Sequence, residues 1–182
     1  SPDGSLVAVV PDDPGDNGVT VREAVAGATK FRVESPGDRP SRVLFAHGSL
    51  WVHYVSGLVE RRDAATGALV AQLSGRFSGE KPMSAAGDLL AIPSGTGVAL
   101  YDARAEVLLN SISFPLAWQS LRRGTAVARD GSVLVNAFEA FPDGDQGFVV
   151  ATQLEPEALV STACRTSGSS LTADDWRVLV GG

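Results

Sequence analysis

The chain has 182 residues, 44% of them hydrophobic, and a mean hydropathy of +0.09. This composition excludes a disordered chain and is sufficient for one sizeable core. The net charge of −6 disfavours binding to nucleic-acid phosphates, and apolar runs such as LVAVV are too short to cross a membrane. The single cysteine, Cys164, excludes an intrachain disulfide and favours a reducing, cytoplasmic location.

The first predicted element is a turn, SPDG, followed at once by the strand sequence SLVAVV. The same order recurs as AHG-SLWVHY, AAG-DLLAIP and RDG-SVLVNAF. The glycines of these turns are Gly4, Gly48, Gly87 and Gly131. Their separations of 44, 39 and 44 residues are near the 40–45 that is typical of four-stranded propeller blades.

Each repeat also carries a second marker, an acidic residue where a later strand turns. These acids are Glu23, Asp63 and Asp102, and Gln153 takes the place in the fourth repeat. A small sheet of four strands cannot bury both of its faces by itself, so neighbouring sheets must stack on one another. The sequence therefore predicts an all-β propeller of about four blades over residues 1–40, 41–78, 79–120 and 121–155.

Two insertions lengthen the first and fourth repeats at the same point. They are PDDPGDNG and EAFPDGDQG, and they contain Asp12, Asp13, Asp16, Asp143 and Asp145. Connections in one place lie on one rim, so these acids are predicted to form part of a partner-binding face. Oxygen-rich loops also suit calcium, but the twelve-residue calcium pattern is absent and turn chemistry explains the same residues. No metal or cofactor is predicted.

Trp118, in FPLAWQSLRR, is a further candidate for partner binding. It stands beside a loop and arginines, and exposed aromatic residues near arginine mark interfaces. The alternative is a core position.

SPDGSLVAVV, RRDAATG and LYDARAE together resemble the repeats of WD-repeat propellers. The family's Trp-Asp pair is altered, because Arg22, Arg62 and Tyr101 stand in place of tryptophan. The acids that stabilise the turns are the retained part.

The last segment, residues 156–182, is predicted to form a helical tail. Its ACRTSGSSLTADDW sequence resembles the tail that follows the last blade in many bacterial, actinobacterial-type WD-repeat proteins. Pro156 and Thr172 are placed to start two short helices. Leu159, Cys164 and Trp176, with Leu171, are then expected to pack on the propeller.

The resemblance implies a role for the chain as the C-terminal part of a larger regulator. In that family the propeller follows a STAND-type nucleotide-binding module, a transcriptional-activator head or a kinase. The expected function is a non-enzymatic scaffold or sensor in signalling or transcription regulation. Its partner would be another protein or an upstream effector domain of the same polypeptide.

Two alternatives remain open on the residues alone. The chain could bind a ligand or act as an enzyme through a central channel lined by residues such as Arg42 and Arg129. It lacks a nucleophile elbow, however, and His47 and His53 are expected to be structural. The architecture also has two forms. The one we favour is the C-terminal half of a larger propeller, whose other half is a separate chain, a cleaved piece or a further segment; the other is a small closed ring.

Overall fold

The protein is all-β in the part of the chain that the computed structural model describes, namely residues 1–13, 15–35, 37–73, 75, 77–79, 81–115, 122–139 and 147–155. The strands are β1 Leu6–Val9, β2 Gly18–Glu23, β3 Thr29–Glu34, β4 Pro40–Ala46, β5 Ser49–Tyr54, β6 Val59–Asp63, β7 Leu69–Leu73, β8 Ser84–Ala86, β9 Leu89–Pro93, β10 Gly97–Asp102, β11 Val107–Ser113, β12 Arg122–Val127, β13 Val133–Glu139 and β14 Gly147–Gln153. The predicted helical tail, Trp118, Asp143 and Asp145 lie outside the described residues.

The strands form four antiparallel sheets in chain order. The first sheet is β1-β2-β3, the second β4-β5-β6-β7, the third β8-β9-β10-β11 and the fourth β12-β13-β14. Neighbouring sheets meet through β1 and β4, β4 and β8, and β8 and β12. The predicted all-β fold is confirmed, whereas the described residues do not show the sheets closing into a ring.

Three apolar cores lie between successive sheets. The first core joins Val19, Val21 and Val33 to Leu50 and Val52. The second core contains Trp51, Val59, Leu90, Ile92 and Tyr101. The third core contains Ala91, Val98, Leu100, Leu134 and Phe138. Because alternate residues of β5 point into the first and second cores, all six of its residues are buried.

The four glycine turns, which share one pattern in the sequence, have two lengths in the structure. In the first and fourth sheets the turn is longer: the Ser1 amino group donates to Leu6 O at 2.8 Å, and Ala128 N donates to Val133 O at 2.8 Å. In the second sheet His47 and Gly48 alone connect Ala46 to Ser49, with φ of 48° and 67°. Both residues take the left-handed conformation that a two-residue hairpin requires.

This difference in turn length shifts the strand that follows by one residue. Leu6 pairs with Glu23 and Ser49 pairs with Asp63, so Leu6 corresponds to Ser49 and not to Leu50. A shift of one residue exchanges the two faces of a strand. Aligning the glycines therefore assigns the wrong face to β1.

The turn acids, by contrast, are equivalent as the sequence predicts. Glu23, Asp63, Asp102 and Gln153 each pair with the first residue of the strand that follows the glycine turn, namely β1, β5, β9 and β13. The Asp63 carboxylate accepts hydrogen bonds from Ala65 N at 3.0 Å and Thr66 N at 2.8 Å. These bonds and that from the Thr66 hydroxyl hold the pKa of Asp63 below its usual value. The acid thus stabilises the turn that leads to the outer strand.

Candidate partner-binding rim

The candidate site is the rim formed by the β1–β2 connection and the neighbouring start of β4. The predicted acids Asp12, Asp13 and Asp16 all belong to this connection, but their surroundings differ. Asp12 is exposed, and Asp13 accepts a hydrogen bond from Gly15 N at 2.8 Å. Asp16 is half-buried and forms an ion pair with Arg32 of β3. Only Asp12 presents its charge without a hydrogen bond or ion pair among the described residues.

Arg32 holds Asp16 within a small charged network on the first sheet. Its guanidinium also pairs with Glu34 and donates to Thr20 Oγ1 at 3.2 Å. The hydrogen bond from Arg32, with a second from Gly18 N, lowers the pKa of Asp16. Asp16 is therefore paired within the folded connection. Together with Asp13 and Arg32 it also lines an open cleft of about 520 Å³.

A second cleft, of about 350 Å³, separates the end of β1 from the start of β4. Its lining residues are Val10, Pro11, Asp12, Arg39, Pro40, Ser41, Arg42 and Val55. We call it the rim cleft. Asp12, Arg39 and Arg42 are exposed, and the Arg42 guanidinium donates to Ser41 O at 2.7 Å. The cleft therefore presents charges of both signs.

Arg39 is a site residue that the sequence analysis did not identify. It lies in the GDRP turn before β4, and only the packing of the first sheet against the second brings it beside Asp12. The signal in the sequence was an arginine next to a proline at a strand start. Without knowledge of the neighbouring sheet, that pattern is typical of any solvated turn.

Asp38 and Ser56 brace the wall of the rim cleft. The Ser56 hydroxyl and Ser56 N both donate to the Asp38 carboxylate. One residue on, Val55 N donates to Arg39 O at 2.9 Å. These bonds join the β3–β4 connection to the β5–β6 turn, so the backbone that carries Arg39 is held in place before any partner binds.

The remaining predicted acids belong to the corresponding connection of the fourth sheet. Asp143 and Asp145 stand between β13 and β14, as Asp12 and Asp13 stand between β1 and β2. The two insertions thus have the same topological position. The acids themselves, like Trp118, lie outside the described residues.

The two arginines predicted to line a channel are separated in the fold. Arg42 lies on β4, the first strand of its sheet, and contributes to the rim cleft. Arg129 is exposed and follows the end of β12, next to the glycine turn at the other end of the strand. The described residues do not bring the two side chains into one pocket.

The two histidines have different surroundings. His47 Nδ1 lies 2.6 Å from Asp88 Oδ1, which joins the turns of the second and third sheets. His53 is fully buried in β5. Burial lowers the pKa of His53 to about 4, while the backbone of Lys81 partly opposes that shift. A neutral, enclosed imidazole of this kind is consistent with a structural residue.

No group of three or more His, Cys, Asp or Glu side chains suited to a metal ion occurs in the described ranges. Among the same residues, no helix has the length and apolar character that crossing a membrane requires.

No family model matches the chain, and no curated protein matches it. Its fold is similar to several solved structures. A chain in the crystal structure of the mitotic checkpoint complex has a TM-score of 0.64 at 20% identity, over 81% of this chain and 43% of that chain. The computationally designed Ika4 protein has a TM-score of 0.65 at 14% identity, over 83% of this chain and 86% of that chain.

A third similar structure is the complex of KlAtg21 with the coiled-coil of AgAtg16. Its TM-score is 0.60 at 20% identity, over 80% of this chain and 52% of that chain. At identities below 25%, these likenesses show the fold alone. The chain spans less than half of the matched chain from the mitotic checkpoint complex.

Proposed function

We propose that the chain is a WD-repeat-like β-propeller module that binds a protein partner and has no catalytic role. The observation that carries this proposal is the rim cleft, where Asp12, Arg39 and Arg42 expose charges of both signs on a braced backbone. Preformed mixed charge suits a protein surface with complementary charges, because such pairs guide encounter and orient the partner.

The stacked sheets support a propeller. Neighbouring sheets meet through their first strands, and each pair of sheets encloses an apolar core. This is the arrangement that radial repetition of four-stranded sheets requires. Two of the similar solved structures are complexes, which is consistent with a binding role for this fold.

The proposed partner is another protein or an effector domain of the same polypeptide. A second chain completing the propeller is part of the proposal, since the four sheets formed by the described residues are not seen to close into a ring. In the first sheet, β1 corresponds to β5, and one of its edges has no paired strand among the described residues. An open edge of this kind readily accepts another strand.

The resemblance of the tail to bacterial, actinobacterial-type WD-repeat proteins leads us to propose a cytoplasmic signalling or transcription-regulatory setting. The effector would then be a STAND-type or related upstream module. The net charge of −6 is consistent with a partner other than nucleic acid.

The rim can be tested by photo-crosslinking in the source cells. A photoreactive residue at position 12 or 39 should capture one reproducible protein, identified by mass spectrometry. The double charge reversal Asp12→Arg with Arg39→Glu, combined with the photoreactive residue at Val55, should abolish that product. Asp16→Asn is the matched control, since Asp16 is paired within the chain.

Crosslinks that are equally strong from exposed Val107 of β11 would contradict the rim as the binding face. A small-molecule thermal-shift screen tests the ligand-binding alternative: a specific ligand whose effect disappears in Arg42→Ala would favour that reading over a protein partner.

A further inference from the structure

Among the described residues, β14 is the last strand of the fourth sheet and has no neighbouring strand on its outer side. In the first and third sheets, one hydrogen bond marks the end of the strand before the outer strand. Ala24 N, directly after β2, donates to Ser5 O at 2.9 Å, and Ala103 N, directly after β10, donates to Asp88 O at 2.6 Å. In the fourth sheet Leu154 N donates to Ser132 O at 2.7 Å in the same way. The following segments form the outer strands β3 and β11. The chain after Leu154 therefore continues from the same position as the segments that lead to the outer strands of the first and third sheets.

An apolar groove lies at this edge, between the third and fourth sheets. Its volume is about 380 Å³, and Leu100, Leu109, Ile112 and Leu154 contribute its apolar wall. Leu109 is 58% exposed. Together with the exposed Val107 and Leu108 it forms an apolar run on an outer strand, which is a site for association unless something covers it.

We propose that the chain's own C-terminal segment, residues 156–182, docks in this groove. Four of its first residues are suited to do so: Leu159 and Ala163 are spaced by four, as are Val160 and Cys164. On a helix, residues spaced by four share a face. Pro156 suits the first turn of such a helix, so the sequence predicts a helix with a short apolar face a few residues after Leu154.

Chain connectivity favours this occupant over a second copy. Leu154 is itself part of the groove wall and of the third core. The four residue steps from Glu155 to Leu159 span at most about 14 Å when extended, so the apolar face begins within reach of the groove. A short tether raises the effective concentration to the millimolar range, which a free partner seldom reaches. This inference does not depend on the proposed function of the rim.

The experiment uses Cys164, the single cysteine, as an internal probe of docking. The rate at which the thiol reacts with a soluble disulfide reagent is measured in the folded chain, and again in denaturant. Docking should slow the reaction by at least about tenfold, because the thiol must leave the groove before it can react. Leu109→Asp should restore most of that rate.

The matched control is Leu69→Asp. Leu69 is 50% exposed on β7, the outer strand of the second sheet, and it does not line the groove. This variant should leave the Cys164 rate within about twofold. Leu159→Asp changes the tail and not the sheets, so it should raise the rate even if Leu109→Asp impairs folding.

Equal rates in the folded and denatured chain would overturn the proposal, as would equal effects of Leu109→Asp and Leu69→Asp. Protection of Cys164 that increases with protein concentration would assign the groove to the tail of a second copy, and would also overturn intrachain docking.

Discussion

Val9 in the first sheet and Val52 in the second occupy equivalent positions but differ completely in burial. Val9 pairs with Thr20 and Val52 pairs with Glu60, both on the face that points towards the preceding sheet. Val9 is 45% exposed and Val52 is fully buried. The second sheet has the first sheet packed against this face, whereas no described sheet covers the first. Burial here depends on the neighbouring sheet and not on the residue.

The same contrast holds for the polar residues of these two faces. In the second sheet Glu60 accepts hydrogen bonds from Tyr54 at 2.7 Å and Gln72 at 3.0 Å, and also pairs with Arg62. Burial raises the pKa of Glu60, but these partners outweigh it and leave that pKa lowered. The equivalent places in the first sheet hold Thr20 and exposed Arg32. Polar side chains need such hydrogen-bond partners only where a neighbouring sheet buries them.

The largest expected effect comes from placing a carboxylate at the two equivalent valines. Val52→Asp should destabilise the chain by more than about 4 kcal/mol, because it buries a charge without a partner. Val9→Asp should cost less than about 1 kcal/mol, since the side chain stays in water. Urea unfolding followed by circular dichroism measures both. Similar losses in the two variants would mean that another element covers β1 in solution.

A second prediction concerns pH, which should affect the stability contributed by the two sheets differently. His53 of the second sheet has its pKa lowered from 6.5 to about 4 by burial, so the unfolded chain binds the proton more readily. The contribution of neutral His53 to the free energy of unfolding is therefore fully present above pH 6.5. It is lost as the pH falls towards 4, by up to about 3 kcal/mol.

His53→Leu should remove much of this dependence of the unfolding free energy on pH, which unfolding curves at several pH values would show.

In the first sheet Asp3 has a pKa of about 2, lowered by hydrogen bonds from Ser1 and Ser5. Its stabilising contribution is present above the ordinary aspartate pKa of 3.8 and is lost only as the pH falls towards 2. If the unfolding free energy of His53→Leu fell as steeply between pH 6.5 and 4 as that of the unchanged chain, the assignment of this pH dependence to His53 would be wrong.

The smallest expected effect concerns the polar networks on the equivalent faces. Tyr54→Phe removes a buried donor to Glu60 and should cost about 1–2 kcal/mol. Arg32→Met in the first sheet should cause no measurable loss, because its ion pairs are exposed to solvent. Thermal unfolding of both variants checks this, and a larger loss for Arg32→Met would indicate that the first sheet is covered.

The strand and turn pattern could be predicted from the sequence because its causes are local. Glycines with positive φ at Gly4, Gly48, Gly87 and Gly131 mark the turns wherever they occur. The carboxylates of Asp63 and Asp102 bind the backbone two and three residues ahead. Such contacts are complete within one turn, so no distant residue is needed to identify them.

The candidate site was predictable only in part. Asp12, Asp13 and Asp16 stood out as an insertion between two predicted strands. Their separate roles did not, since Arg32 is 16 residues from Asp16 and reaches it only through the pairing of β2 with β3. Arg39 joins the rim cleft through the packing of two sheets, and no short stretch of sequence records that contact.

The sequence by itself determined where the strands begin, how often they repeat and which acids stabilise their turns. The tertiary structure alone decided which face of each strand is buried. A turn of four residues before β1, against two before β5, shifts the strand by one position and exchanges its faces. Because both faces of β1 are apolar, the pattern of hydrophobic residues could not reveal the shift, and only the presence or absence of a packed neighbour resolved it.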